Sequence, residues 1–137
     1  MNRLFDKAQP YLFLLGRILI SAIFILSGIS KMGSFAGTAQ MMGGKGLPAP
    51  EVLLALTILI EAAGGLMLLL GIYARLTALV YFVWLIPVTL VFHRFWGIDP
   101  AQVQGQYINF MKNLAIMGGM ATIMAAGSGP LSVTKER

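Results

Sequence analysis

Glu61 stands at the centre of an apolar stretch, residues 53–73 (LLALTILIEAAGGLMLLLGIY), that is long enough to cross a bilayer. A carboxylate at that depth costs roughly 2.5–3.5 kcal/mol on insertion scales, so it is expected to face other helices and to have a partner. The candidate partners are few: Arg17 and Lys31 on one stretch, His93 at the end of another, and Asn109, Lys112 and Asn113 at the start of a last one. One carboxylate among cations and amides can take up or relay a proton. The cations and amides can hold an anion or an electron-rich carbonyl oxygen. Glu61 and His93 are therefore the candidate catalytic residues, and Arg17, Lys31, Asn109, Lys112 and Asn113 the candidate substrate-binding residues.

These residues need a scaffold, and the composition says which. The chain has 137 residues, about one domain in length, with 58% hydrophobic and 11% charged content. A soluble domain carries roughly 25% charged residues, so much of the apolar surface must face lipid. Four apolar stretches, approximately 11–30, 52–72, 76–95 and 109–127, predict an all-α polytopic membrane protein built as a four-helix bundle. The net charge of +5 is spread over termini and loops with no basic run, which argues against nucleic-acid binding. No cysteine is present, which excludes disulfides, thiol catalysis and iron–sulfur ligation by this chain, and a single histidine excludes a multi-His metal site.

On the first stretch Arg17, Ser21, Phe24, Gly28 and Lys31 share one helical face. A signal peptide is the rival reading, but the run is long for one and ends in SGISK. Arg17 lies about two turns in, too deep for an easy reach to the headgroups, and is expected to point into the bundle toward Glu61. Residues 32–50 read either as a Gly-rich linker or as a short interfacial helix capped by Ser34 and ended by Gly43-Gly44. Pro50 should open the second long helix, with Glu51 in its first turn. Thr57, Glu61, Gly64 or Gly65, Leu68 and Gly71 then share a face, the glycines allowing close helix approach.

Residues 71–75 form a tight turn, so the second and third spans are antiparallel neighbours. Pro87 should kink the third span or loosen its hydrogen bonding. Trp84 adds aromatic content to it, and Phe95 and Trp96 are expected at the interface. After a polar loop, residues 97–107, the fourth span carries a stripe of Ala115, Gly118, Gly119, Thr122 and Ala126 for packing. The tail from Gly127 is polar and short. Four spans put both termini on one side with Arg3, Lys7, Arg75, Lys135 and Arg137, against Lys31, Lys45, Arg94 and Lys112 on the other, which orients the termini to the cytoplasm. In this arrangement the polar residues form one internal column, with cations above and below Glu61. Its structural alternative is a self-neutralised ion pair that fixes helix register.

The ordered series R-I-L-x-x-x-x-F-x-x-S-G-x-x-K (17–31), G-L-P (46–48), E-x-x-G-G-L-x-L-L-x-G-x-x-x-R (61–75), Val91-Phe92-His93, K-N-L-A-x-x-G-G (112–119) and G-x-G-P-x-S (127–132) resembles the DoxX family of small four-helix membrane proteins. The family often places an acid after the final Ser, whereas Ser132 is followed here by Val133-Thr134-Lys135. The resemblance implies a bacterial inner-membrane protein linked with redox work. Some relatives look like subunits of a membrane thiosulfate:quinone oxidoreductase, and others are tied to oxidative-stress or thiol-handling complexes. The residues show no intrinsic cofactor motif, so an electron carrier would be a quinone or a soluble or membrane redox partner. The contrasting expectation is a non-catalytic scaffold or small-solute carrier. With no internal repeat over four spans, alternating access would require a homo-oligomer.

Overall fold

The structure is a computed structural model that describes residues 2–136. Among these residues the chain forms five helices and no strand: α1 (Asn2–Gly33), α2 (Phe35–Gly44), α3 (Pro50–Leu70), α4 (Ala74–Phe92) and α5 (Pro100–Ala126). The four long helices run up, down, up and down. The α1–α3 pairing shows it directly, with Arg17 against Leu69, Gly28 against Ala62 and Lys31 against Glu61. Arg75 at the start of α4 meets Ala125 near the end of α5, and Asn113 meets Thr89, so this pair is antiparallel too. Asn2 and Glu136 therefore lie at one end, called lower here, and α2 lies at the upper end. Arg137, counted above among the cations of the terminal side, lies outside the described residues.

One buried cluster takes side chains from all four long helices: Phe24 from α1, Leu68 from α3, Tyr81 and Leu85 from α4, and Met120 and Ile123 from α5. Large apolar residues such as Leu19, Leu26, Leu59, Val83 and Leu114 point outward, as expected of helices in lipid rather than water. Among the described residues three helices, α1, α3 and α4, are long and apolar enough to cross a membrane. The fourth expected span lies within α5, which is long enough, but Lys112 and Asn113 interrupt its apolar run.

Several boundaries differ from the sequence reading for local reasons. α1 starts at Asn2, well before residue 11, because nothing in the polar opening residues stops a helix and Pro10 is tolerated inside it. α5 starts at Pro100 rather than near 109. Asp99 accepts a hydrogen bond from the Ala101 N–H at 3.0 Å and Pro100 occupies the first turn, a start signal that the polar composition of 97–107 masked. The short helix between Gly33 and Pro50 is present as α2 and ends at Gly44, but Ser34 does not cap it. The Ser34 hydroxyl instead donates back to the Ser30 carbonyl at 3.0 Å, because α1 and α2 are nearly continuous there. α4 runs unbroken through Pro87.

The turn between α3 and α4 needs Gly71. Its φ is +69°, and a Cβ there would collide with the Arg17 guanidinium and the Ser132 side chain. The small-residue stripe on α5 is mostly outward: Ala115, Gly118, Thr122 and Ala126 are exposed, and Gly119 alone of the five packs, beneath Ile20 of α1.

Candidate functional site

α1 ends at Gly33, roughly level with the middle of α3, so the upper half of α3 has no α1 beside it. α2 fills that place. Its Ala39 and Met42 bury against Leu54, with Leu53, Ile58 and Phe92 around them. The result is a cavity of about 460 Å³ under α2, between the upper halves of the long helices. Such a volume lies within the usual range for small-molecule sites, roughly 300–1,000 Å³.

Glu61 sits on the cavity wall and is 5% exposed. Its position is held from two directions. The Tyr81 hydroxyl donates to the backbone carbonyls of Ile60 and Glu61 at 2.8 and 3.0 Å. Tyr81 reaches them only because residue 64 is glycine: a Cβ there would stand 2.9 Å from the Tyr81 hydroxyl. Gly65 does the same for α1, since a Cβ would meet Ile25. The E-x-x-G-G spacing thus seats a carboxylate where two neighbouring helices come closest. The carboxylate itself receives Lys31 Nζ on both oxygens, at 3.0 and 2.9 Å, and Lys31 also donates to Ser27 Oγ. The Lys31 side chain is 28% exposed and that of Glu61 7%, so the ammonium keeps access to water while the carboxylate does not.

The other wall comes from α4 and α5. His93 ends α4, its Nδ1 3.0 Å from Gln106 Oε1. Asn113 is buried and donates to Thr89 Oγ1 at 3.0 Å. Lys112 lies one residue earlier on the helix and bonds to Asn109 Oδ1 at 3.2 Å. Lys31, Glu61, His93, Lys112 and Asn113 all line this one cavity; Asn109 does not line it but steadies Lys112. Ser27, Thr38, Gln106 and Lys45 also line the wall and were not singled out as site residues by the sequence reading. Gln106 was assigned to a loop, and the Asp99-Pro100 helix start was the signal that would have placed it on α5. Lys45 follows α2, its ammonium 5.9 Å from the centre of the Phe92 ring.

Arg17 corrects the single-column expectation. It is buried inside the bundle, 2% exposed, yet it does not meet Glu61. Its guanidinium donates to the carbonyls of Leu68 and Leu69, at 3.5 and 3.1 Å, and to the Leu131 carbonyl. The antiparallel register explains this. The residues of α3 level with Arg17 are 68–71, and Glu61 lies about two to three turns higher. Counting depth from residue 11 had set Arg17 too far up the bundle. The polar residues accordingly form two groups, an upper one around Glu61 and a lower one around Arg17.

The lower group includes the tail. Val133 and Thr134 N–H groups donate to the Leu70 and Gly71 carbonyls at 3.0 and 3.1 Å. Buried Ser128 bonds to Ser132 Oγ at 3.0 Å, and Ser132 donates to the Gly129 carbonyl at 2.7 Å. The Glu136 carboxylate accepts from the Arg75 N–H, with its nearer oxygen at 3.0 Å, in the first turn of α4, where the helix dipole favours an anion. The tail is thus a folded closure beneath the bundle. Among the described residues no group of three His, Asp or Glu side chains gathers as metal ligands.

Comparison with known proteins places this geometry in a setting. The family model described as DoxX matches residues 12–94, which covers α1 from Leu12 through α4 and leaves α5 outside. Two relatives from Escherichia coli (strain K12) match nearly end to end. The inner membrane protein YphA is 30% identical over 132 residues, 96% of this chain and 94% of its own. The inner membrane protein YqjF is 35% identical over 131 residues, 94% of each chain. An uncharacterised protein of Haemophilus influenzae is 35% identical over 80 residues, 58% of this chain and 57% of its own. No solved structure matches.

Proposed function

The chain belongs to the DoxX family, and from that premise we propose that it is a redox-associated inner-membrane subunit whose upper cavity binds a quinone head group or a small anionic, thiol-related substrate. The observation that carries this reading is the convergence of Lys31, Glu61, His93, Lys112 and Asn113 on one cavity of ligand size. In that cavity Lys112 and the Asn113 amide supply donors to an oxygen of the ligand. Glu61 and His93 handle the proton that accompanies reduction or oxidation. Lys31 holds the carboxylate in place until the ligand competes for it. Electrons come from or go to a partner, since the chain itself carries no thiol.

The same reading takes α5 as a fourth span and both termini as cytoplasmic, with the cavity opening on the periplasmic side. The inner-membrane placement follows the two Escherichia coli relatives, and the orientation follows the positive-inside count. The folded tail beneath the bundle favours a one-sided binding site over a path through the membrane.

Two experiments test this. Reporter fusions after Ala74 and after Arg137 should both score cytoplasmic; a periplasmic signal at either defeats the topology. Mass spectrometry of protein purified in mild detergent should find a quinone or small anion in the wild type and not in a Lys112→Met variant, whose stability should be nearly unchanged. Equal retention by both proteins would defeat the site.

A further inference from the structure

The cavity lining mixes two kinds of side chain that ask for different chemistry. Lys31, Lys45 and Lys112 line it against a single carboxylate, Glu61. Lys31 is committed to Glu61 through both oxygens. Lys45 and Lys112 have no acidic partner among the described residues, so the chamber carries two uncompensated ammonium groups. Apolar side chains share the same lining: Phe24, Trp84, Leu85, Val88 and Ile116, with Phe92 beside Lys45. Phe24 and Trp84 meet edge to face with their ring centres 6.4 Å apart.

Resting on the reading of this cavity as the ligand site, and choosing the anionic of its two proposed ligand classes over the quinone, we infer that its ligand is a single-chain amphiphilic anion, a carboxylate or sulfonate head on an apolar body. A neutral quinone would leave Lys45 and Lys112 uncompensated. A bare inorganic oxyanion would suit the lysines but leave the aromatic side chains wet in a chamber of about 460 Å³. An amphiphilic anion satisfies both kinds: Lys45 and Lys112 take its head, and its chain lies along Trp84 and Val88. Two-chain lipids are too large for a cavity near the lower end of the small-molecule range.

Trp84 reports on the site directly, because it lines the cavity, while Trp96 lies outside it in the α4–α5 connection. In a Trp96→Phe background in mild detergent, a bromine-tipped medium-chain acid (bromoundecanoate) should quench Trp84 saturably. Lys45→Gln/Lys112→Gln should weaken that binding about thirtyfold, the sum of two modest ion pairs. Lys45→Arg/Lys112→Arg should restore it. Both lysines are exposed and make no ion pair, so the variants should fold, which an unchanged thermal transition checks. The matching bromo-alcohol should quench weakly and ignore the lysine changes. Equal, lysine-independent quenching by acid and alcohol would overturn the inference as mere detergent partitioning. Displacement by thiosulfate or sulfate as effective as by the unbrominated acid would overturn it in favour of a bare anion. Quenching by brominated phosphatidylglycerol in preference to the acid would overturn it in favour of a two-chain lipid. A short-chain quinone separates the two readings. If it quenches Trp84 saturably while the acid result fails, the site stands and the ligand class falls. If neither quenches, both fall.

Discussion

The upper and lower ends of this bundle each draw charged groups into apolar helices, and they treat them oppositely. At the lower end Arg17 is buried and bound by carbonyl oxygens of α3 and of the tail, and a glycine at 71 keeps the chain close around it. At the upper end the Lys31–Glu61 pair lies on a cavity wall, half in reach of water, with two further lysines and a histidine around an open space. The lower end uses a charge as a structural bolt; the upper end leaves charges available. A buried cation whose donors meet carbonyls rigidifies its surroundings, whereas cations facing a cavity can change partners. The difference teaches that depth in the membrane does not by itself mark a working residue. Open space does not mark it either, since a cavity of about 440 Å³ adjoins Arg17 as well. What separates the two ends is the partner: backbone carbonyls for Arg17 and, among the described residues, no acidic group for Lys45 and Lys112.

The largest expected effect is at the bolt. Arg17→Gln should destabilise the protein by about 3–6 kcal/mol, from its charged hydrogen bonds to the Leu69 and Leu131 carbonyls at about 1.5–3 kcal/mol each, read from unfolding in mild detergent. It should add to Glu61→Gln within about 0.5 kcal/mol, because the two groups share no partner. A coupling well above that would join the two ends into one network and erase the contrast.

Gly71→Ala comes next, at about 2 kcal/mol, from a left-handed backbone and an overpacked contact. In an Arg17→Ala background that cost should shrink, since the guanidinium is one of the two groups in the way. A full, undiminished loss would show that backbone strain alone sets the requirement for glycine.

The upper pair should respond more mildly. Lys31→Met should cost about 2 kcal/mol and Glu61→Gln about 1 kcal/mol, because Lys31→Met strands a buried carboxylate while Glu61→Gln leaves an ammonium that water reaches. The double variant should lose less than the sum, as a double-mutant cycle would record. Strict additivity would mean that the pair is not formed.

The smallest stability change is expected for Lys112→Met, within about 0.5 kcal/mol by thermal unfolding, because the residue is exposed and bonded only to Asn109. Its effect should fall on ligand retention. A large stability loss there would make the upper end as structural as the lower one.

Much of this was legible in the chain. Glu61 announced itself because a carboxylate in an apolar run of twenty residues has no bland place to go. The face shared by Arg17, Ser21, Phe24 and Gly28 followed from helical spacing alone, and all four are buried. Pro50 opened α3, and Gly71 closed it. Misjudgements arose where a residue's partner lies far along the chain. Arg17 was paired with the wrong group, and the contacts of the tail with α3 were not foreseen. Separately, the local cap at Asp99 was masked by its polar surroundings, so α5 was started nine residues late, hiding Gln106.

The physical reason is a matter of range. Apolar runs, prolines, glycines and helical periodicity act within a few residues, so the all-helical membrane character, the main helices and the inward faces were determined by the sequence itself. The axial register of α1 against α3 depends on how their surfaces interlock at Gly28 and Gly65 along the whole length of both helices. Only the tertiary structure decided that register. It set Lys31 rather than Arg17 on Glu61, folded the tail beneath Arg17, and left a cavity where α1 stops short and α2 takes its place.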